Sequence, residues 1–86
     1  MALYTVSFRR SAEKEFRKLD VAVQRRVLRV VEGLAGEPRP PGCRKLQGGE
    51  HAFRIRLGNY RVVYTVNDGV RIVTVEHIRH RRDVYR

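Results

Sequence analysis

The sequence has only one cysteine, Cys43, and no tryptophan. An internal disulfide is therefore excluded, and no Cys or His spacing fits a metal site. No apolar run is long enough for a signal peptide or a membrane span. With 86 residues, the chain predicts one domain over residues 1–86, in a reducing cytoplasm and without a metal or another cofactor.

Acidic residues and lysines are both scarce. The chain has 19 Lys and Arg against 9 Asp and Glu, for a net charge of +10, and its only lysines are Lys14, Lys18 and Lys45. Arginine presents a planar fork that matches phosphate oxygens. This composition is typical of domains that bind nucleic acid or an acidic protein, although a merely solubilising surface is the alternative. A membrane surface is disfavoured, because no helix pairs a basic face with aromatic anchors.

The front half of the sequence predicts a strand followed by a helical hairpin. Leu3–Phe8 is β-branched and aromatic, as expected for a strand. Ser11 and Asp20 are expected to cap two helices, and Gly36 ends the second one. The apolar positions at helical spacing should face the core: Ala12, Phe16, Leu19, Val23, Val27, Val30, Val31 and Leu34.

The back half predicts a three-stranded antiparallel meander. The segment Glu37–His51 is a loop by composition, and Gly58-Asn59 is a two-residue hairpin signal. A second turn at Asn67-Asp68-Gly69 leads into a third strand over Val70–Ile78. The predicted fold class is α+β, with one sheet and the helices packed on one of its faces.

The first hairpin of the meander places three arginines on one face. If Gly58-Asn59 is the loop, Arg56 lies opposite Arg61, and Arg54 lies two residues along on the same face. No acidic residue occurs between Phe53 and Tyr64. Like charges opposite one another destabilise a sheet, so this pattern indicates a site for an external anion.

Two registers are open for the third strand. A two-residue turn at the Asp-Gly pair would bury Val73 and Val75 and would place Thr74 and Glu76 beside Arg61. A three-residue turn would invert these faces. The first register is favoured because it buries the valines, and in it Glu76 would partly neutralise Arg61.

The chain resembles the RelE/ParE superfamily of toxin–antitoxin toxins. The matching segments are YTVSFRRSAEKEFRKL, KLQGGEHAFRIRLGNYRVVYTV and HRRDVYR. The resemblance to RelE-like members implies a metal-independent endoribonuclease that enters the ribosomal A site and cuts mRNA by attack of a ribose 2′-oxygen on the adjacent phosphate. It also implies an acidic-leaning, RelB-like antitoxin as partner, with the toxin monomeric when free.

The resemblance assigns roles to particular residues. The basic active-site pair of the family corresponds to Arg54 and Arg56, and its later arginines correspond to Arg61 and Arg79. Its C-terminal tyrosine corresponds to Tyr85, which would stack on a base or transfer a proton. Further basic residues are expected to bind RNA around this site: Lys45, Arg71, Arg81 and Arg82.

The chain departs from the family where proton transfer is concerned. The basic pair is often lysine in RelE-like enzymes, and arginine cannot lose its proton. His80, next to Arg79, is the first candidate for a general acid or base, with His77 and His51 as weaker ones. The ribosome could also supply the missing group, or the proton could pass to solvent.

Two other functions are compatible with the sequence. A ParE-like toxin would inhibit DNA gyrase by binding protein, and it would need no basic constellation on the sheet. A non-catalytic ribosome- or RNA-binding module would show the same salt-sensitive affinity but would leave mRNA intact.

Overall fold

The computed structural model describes residues 3–49 and 51–84. Tyr85, one of the predicted site residues, lies outside them. The helices and strands in chain order are β1 (Thr5–Phe8), α1 (Arg10–Arg17), α2 (Val21–Gly36), β2 (Arg44–Lys45), β3 (Ala52–Leu57), β4 (Tyr60–Asn67), β5 (Ile72–His80) and α3 (Arg81–Val84).

All five strands form one sheet in the order β1-β5-β4-β3-β2. β3, β4 and β5 make the predicted antiparallel meander, and β1 pairs with β5 in parallel. The crossover from β1 to β5 carries the helical hairpin, and parallel neighbours require such a long connection. The predicted α+β fold is confirmed. β2 was not predicted, because it is a two-residue strand within the segment assigned to a loop.

The helices cover one face of the sheet. Val27, Val31 and Leu34 of α2 are at most 4% exposed. They pack against sheet residues that are equally buried: Val62, Tyr64, Val66, Val73, Val75 and Ile78. Burial of one such Val or Leu side chain contributes about 1.5–3 kcal/mol relative to exposure. The opposite face of the sheet is called the open face below. Among the described residues, no helix combines the length and the apolar character needed to cross a membrane.

The helix starts differ in part from the prediction. α1 is capped by Arg9, and the Ser11 hydroxyl instead donates to the Glu76 carbonyl oxygen of β5 at 3.1 Å. The Ser11 cap was therefore wrong. Asp20 does occupy the N-cap of α2, although its side chain makes no capping hydrogen bond. α2 ends at Gly36, as predicted.

The turn between β4 and β5 is longer than either predicted turn. β5 begins at Ile72 and pairs with Asn67, which leaves four residues in the turn. The Asn67 side-chain oxygen accepts the N–H groups of Gly69 and Val70, and Arg71 adopts a left-handed φ of 56°. Asparagine side chains stabilise turns in this way. The observed turn of four residues and the predicted turn of two both have an even length, so they place the same residues of β5 on the core face. The predicted burial of Val73 and Val75 is therefore confirmed.

A β-bulge at Glu76 changes the register in the second half of β5. Val63 pairs with His77, but the next residue of β4, Tyr64, pairs with Val75. Glu76 is therefore an extra residue, and the alternation of faces inverts after it. Without the bulge, Ile78 would face solvent and Arg79 would face the core. With it, Ile78 is 3% exposed and Arg79 lies on the open face.

The bulge corrects the predicted neighbour of Arg61. Glu76 was expected beside this arginine, but Arg61 pairs with Arg79. The Glu76 carboxylate instead forms an ion pair with Arg9 at 2.8 Å and accepts the Thr65 hydroxyl at 3.3 Å. Glu76 therefore does not neutralise the arginines of the hairpin.

Candidate functional site

Three arginines form one row across the middle of the sheet. Arg56 of β3 pairs with Arg61 of β4, which in turn pairs with Arg79 of β5. Because neighbouring strands lie about 4.8 Å apart, the three α-carbons span about 10 Å. All three side chains belong to the open face, which none of the described helices covers. We call Arg56, Arg61 and Arg79 the arginine row.

The turn between β3 and β4 sets the register of this row. Gly58 has a φ of +62° at the first central position of the two-residue turn, where glycine is favoured in hairpins. Leu57 pairs with Tyr60 on either side of it, as predicted. A β-carbon on residue 58 would lie 3.4 Å from the Arg26 guanidinium of α2. That is an ordinary contact with the end of a flexible side chain, so the reason for glycine at this turn is conformational.

A second row of open-face residues lies beside the first. It consists of Arg54, Val63 and His77, and Arg54 also pairs with Arg44 of β2. Paired residues share a face, so Arg44 adds another cation to the open face. Sequence reasoning missed Arg44 because β2 is too short to be recognised from its pattern. Lys45, the predicted RNA-binding residue next to it, is exposed and pairs with Phe53, so it belongs to the opposite face.

Three acidic side chains of the described residues form ion pairs away from the arginine row: Glu13, Asp68 and Glu76. Asp68 receives two hydrogen bonds from Arg39, at 2.8 and 3.2 Å, and a third from the Tyr4 hydroxyl at 2.6 Å. These donors, Arg39 first, lower the pKa of the Asp68 carboxyl. Within residues 3–49 and 51–82, no acidic side chain forms an ion pair with Arg56 or Arg61.

Among the described residues, Glu15 of α1 is the acidic side chain that forms an ion pair with the row. Its Oε1 accepts the Ile78 N–H at 3.0 Å and lies 3.6 Å from His77 Nδ1. Its Oε2 lies 3.7 Å from Arg79 Nε. β1 pairs only with the first half of β5, so α1 lies along the remaining edge and its side chains take over the edge hydrogen bonds. Sequence analysis did not place Glu15 at the site.

His80 lies on the opposite face from the arginine row. The bulge places it opposite Tyr60, and the two rings meet edge to face at 5.0 Å. Its Nδ1 accepts the Arg82 N–H at 3.1 Å. The structure therefore separates His80, the preferred histidine, from the row. It brings His77, the weaker candidate, onto the open face beside it.

The remaining predicted residues lie around the site or away from it. Arg81 and Arg82 are exposed in α3, directly after β5. Arg71 lies in the turn before β5, about 25 Å from Arg79 along the strand, so it cannot contact the same phosphate. His51 is exposed just before β3. Across the described residues, no three His, Cys, Asp or Glu side chains are arranged to hold a metal ion.

Comparison with known proteins identifies relatives over nearly the whole chain. Residues 6–85 match the family model described as ParE toxin of the type II toxin–antitoxin system parDE. A RelE-like toxin protein of Escherichia coli is 36% identical over 86 residues, which cover 95% of this chain and 90% of the relative. The toxin RelG of Mycobacterium tuberculosis is 33% identical over 87 residues, with 96% and 97% of the two chains covered.

Solved structures show the same architecture. The archaeal RelE–RelB complex from Pyrococcus horikoshii superposes with a TM-score of 0.82 at 31% identity, and the match covers 94% of this chain and 97% of the other. The family match, the relatives and the fold therefore agree with the resemblance found in the sequence. The chain belongs to the RelE/ParE superfamily and is a RelE-like toxin of a type II toxin–antitoxin system.

Proposed function

We propose that this toxin is an endoribonuclease that cuts mRNA in the ribosomal A site. The observation that carries the proposal is the arginine row: three arginines paired across neighbouring strands on the open face, two of them without an acidic partner among the described residues. A sheet gains nothing from opposing like charges. The row is readily explained if an external phosphodiester completes it.

The proposed reaction uses the RNA itself as nucleophile. The ribose 2′-oxygen attacks the adjacent phosphorus, the bond to the 5′-oxygen breaks, and the products are a 2′,3′-cyclic phosphate and a 5′-hydroxyl end. Negative charge builds up on the phosphoryl oxygens in the transition state. Guanidinium forks held on neighbouring strands are well suited to stabilise that charge, because a rigid sheet positions them before the reaction begins.

Each arginine takes a distinct part in this proposal. Arg56 and Arg61, which pair directly, grip the scissile phosphate from two strands. Arg79 supplies the third fork, and Arg54 in the second row holds the neighbouring backbone. For Tyr85 we propose base stacking or proton transfer. Arg44, Arg81 and Arg82 would extend the basic surface along the RNA.

The proposed partners are an antitoxin and the translating ribosome, which would place the toxin in the cytoplasm. The relative from Pyrococcus horikoshii was solved as a complex of RelE with RelB. With a net charge of +10, this chain would bind an acidic-leaning, RelB-like antitoxin, and covering the open face would silence the site. We propose a hetero-oligomer with the antitoxin and a monomer in its absence.

The test is induction of the chain alone in translating cells, followed by mapping of mRNA 5′ ends. We expect new in-frame ends that disappear when translation is blocked. The double variant Arg56→Ala/Arg61→Ala should lose growth arrest while still binding the antitoxin. A charge-matched control, Arg25→Ala/Arg29→Ala on the exposed side of α2, should keep growth arrest. Full toxicity of the first variant would exclude the arginine row from the mechanism.

Inhibition of DNA gyrase is the second candidate function. It is favoured by one observation, which is that the matching family model carries the ParE description. Loss of DNA supercoiling with intact mRNA would establish it in place of RNA cleavage. Intact mRNA with unchanged supercoiling, together with salt-sensitive ribosome binding, would indicate the non-catalytic module.

A further inference from the structure

A carboxylate, an imidazole and a guanidinium meet at the β5 end of the arginine row. Glu15 Oε1 lies 3.6 Å from His77 Nδ1, and Glu15 Oε2 lies 3.7 Å from Arg79 Nε. Arg79 Nη2 lies 3.5 Å from His77 Nδ1. These distances allow charge interactions but are long for hydrogen bonds. Such loose geometry is common in catalytic groups before the substrate binds.

His77 is placed to reach a phosphodiester held by the row. It belongs to the open face, two residues before Arg79 and opposite Val63. Its side chain is 34% exposed. Both contacts of the imidazole use Nδ1, and no partner within residues 3–49 and 51–82 engages Nε2. Nε2 is therefore the nitrogen available to the substrate.

Glu15 is held where it can orient this imidazole. The hydrogen bond from the Ile78 N–H fixes Oε1 at the edge of β5, between the side chains of His77 and Arg79. An imidazole that transfers a proton through one nitrogen is usually oriented by a fixed group facing its other nitrogen. The charged groups that contact His77 are Glu15 from α1 and Arg79 from β5. Three further charged residues occupy neighbouring positions of the sheet: Glu76 of β5, Arg61 of β4 and Arg54 of β3.

Glu15 is also the carboxylate that balances the cations around His77. Glu76 is engaged by Arg9, so among the described residues Glu15 remains as the acidic side chain paired with both His77 and Arg79. Glu15 therefore supplies the negative charge at the end of the row where His77 and Arg79 meet.

We propose that His77 is the proton donor of the cleavage reaction and that Glu15 is its positioning residue; this inference rests on the proposed RNA cleavage. As the 2′-oxygen bonds to phosphorus and its proton passes to water, the phosphorus–5′-oxygen bond breaks. The protonated imidazole gives its Nε2 proton to that leaving oxygen, which becomes the 5′-hydroxyl. Solvent then returns a proton to Nε2.

The test measures kcat and KM for ribosome-bound mRNA with wild type, His77→Ala, Glu15→Gln and both together. We expect His77→Ala to lower kcat by about 100-fold or more, with KM within twofold, and free imidazole to restore part of the rate. Glu15→Gln keeps an acceptor for the Ile78 N–H, so the fold should persist, as a thermal melt will show. Its kcat should fall by about tenfold, and the double variant should lose little more than His77→Ala alone.

Glu13→Gln is the matched control. Glu13 lies on the same helix and pairs with Arg17 rather than with the open face, so it makes the same charge change without touching the row. Unchanged kcat in Glu15→Gln, or equal effects of the two glutamine variants, would overturn the positioning role. Wild-type rates for His77→Ala would overturn the proton transfer while leaving RNA cleavage standing. If wild type itself leaves mRNA intact, both the proposed function and this inference fall.

Discussion

Arg61 is expected to lower the free energy of unfolding of this protein. It pairs with Arg56 on one side and Arg79 on the other, within a five-stranded sheet. Like charges opposite one another on a sheet cost about 0.2–1 kcal/mol per pair. Two such pairs give a penalty of about 1 kcal/mol. The variant Arg61→Gln removes both repulsions and retains a polar side chain on the open face.

The penalty converts into a measurable change in melting temperature. For 86 residues, the unfolding entropy is about 180 cal/mol/K, at about 2.1 cal/mol/K per residue. A gain of about 1 kcal/mol therefore raises the melting temperature by about 5 °C. The gain should shrink in 1 M salt, where the Debye length is about 3 Å. The same variant should lose toxicity, because Arg61 is proposed to grip the scissile phosphate. A residue retained for function often lowers the stability of the fold.

Arg25→Gln serves as the reference for this measurement. Arg25 is exposed on α2, and glutamine matches arginine closely in helix propensity. Both variants lower the net charge equally, so general self-repulsion cancels in their comparison. Thermal melts in low salt, followed by circular dichroism, give the result. If Arg61→Gln melts no higher than Arg25→Gln, the guanidinium groups of the row diverge, and the reasoning about a shared phosphate fails.

Three further predictions concern the fold that supports the site. Leu34→Ala should lower the free energy of unfolding by about 2–5 kcal/mol because Leu34 is fully buried, whereas Leu28→Ala, at a position 41% exposed on the same helix, should cost far less in a urea titration. Tyr64→Phe should cost about 1–3 kcal/mol in the same assay, because the buried Tyr64 hydroxyl donates to a loop carbonyl at 2.8 Å that would lose its partner. Asp68→Asn should be less stable than wild type at pH 7, because Arg39 lowers the pKa of Asp68 in the folded state and the stabilisation is complete above the unfolded pKa. The difference should shrink as the pH falls below the unfolded pKa and through the folded one, and a difference that stays constant throughout the acid range would contradict this.

Much of the fold and one of the two pairings in the arginine row could be predicted from local patterns. The two-residue Gly58-Asn59 turn and the strict alternation around it fix one register, so the pairing of Arg56 with Arg61 followed from the sequence alone. The apolar stripe of α2 likewise predicted the burial of Val27, Val31 and Leu34. In these segments, local turn chemistry and burial favour the same structure.

The other half of the site depends on interactions that have no local signature. The bulge at Glu76 decides which side chains of β5 reach the open face, and it exchanges His80 for His77 beside Arg79. A regular strand would have placed Ile78 in solvent and an arginine in the core, so burial favours the bulge. Its position still cannot be read from alternation alone. Glu15 contacts Ile78 across 63 positions of the sequence, and only the tertiary fold brings them together.

The edge of β5 connects the stability of the fold to its chemistry. β1 has four residues and pairs with β5 only as far as Val75. The exposed edge beyond it would invite pairing with another chain, and α1 protects it through the Ser11 hydroxyl and the Glu15 carboxylate. Protection of that edge requires an acceptor beside the Ile78 N–H, and the bulge turns the residues on either side of Ile78 toward the open face. A single carboxylate can therefore satisfy the strand edge and balance the cationic end of the arginine row, which explains why an acidic residue stands here and not between Arg56 and Arg61.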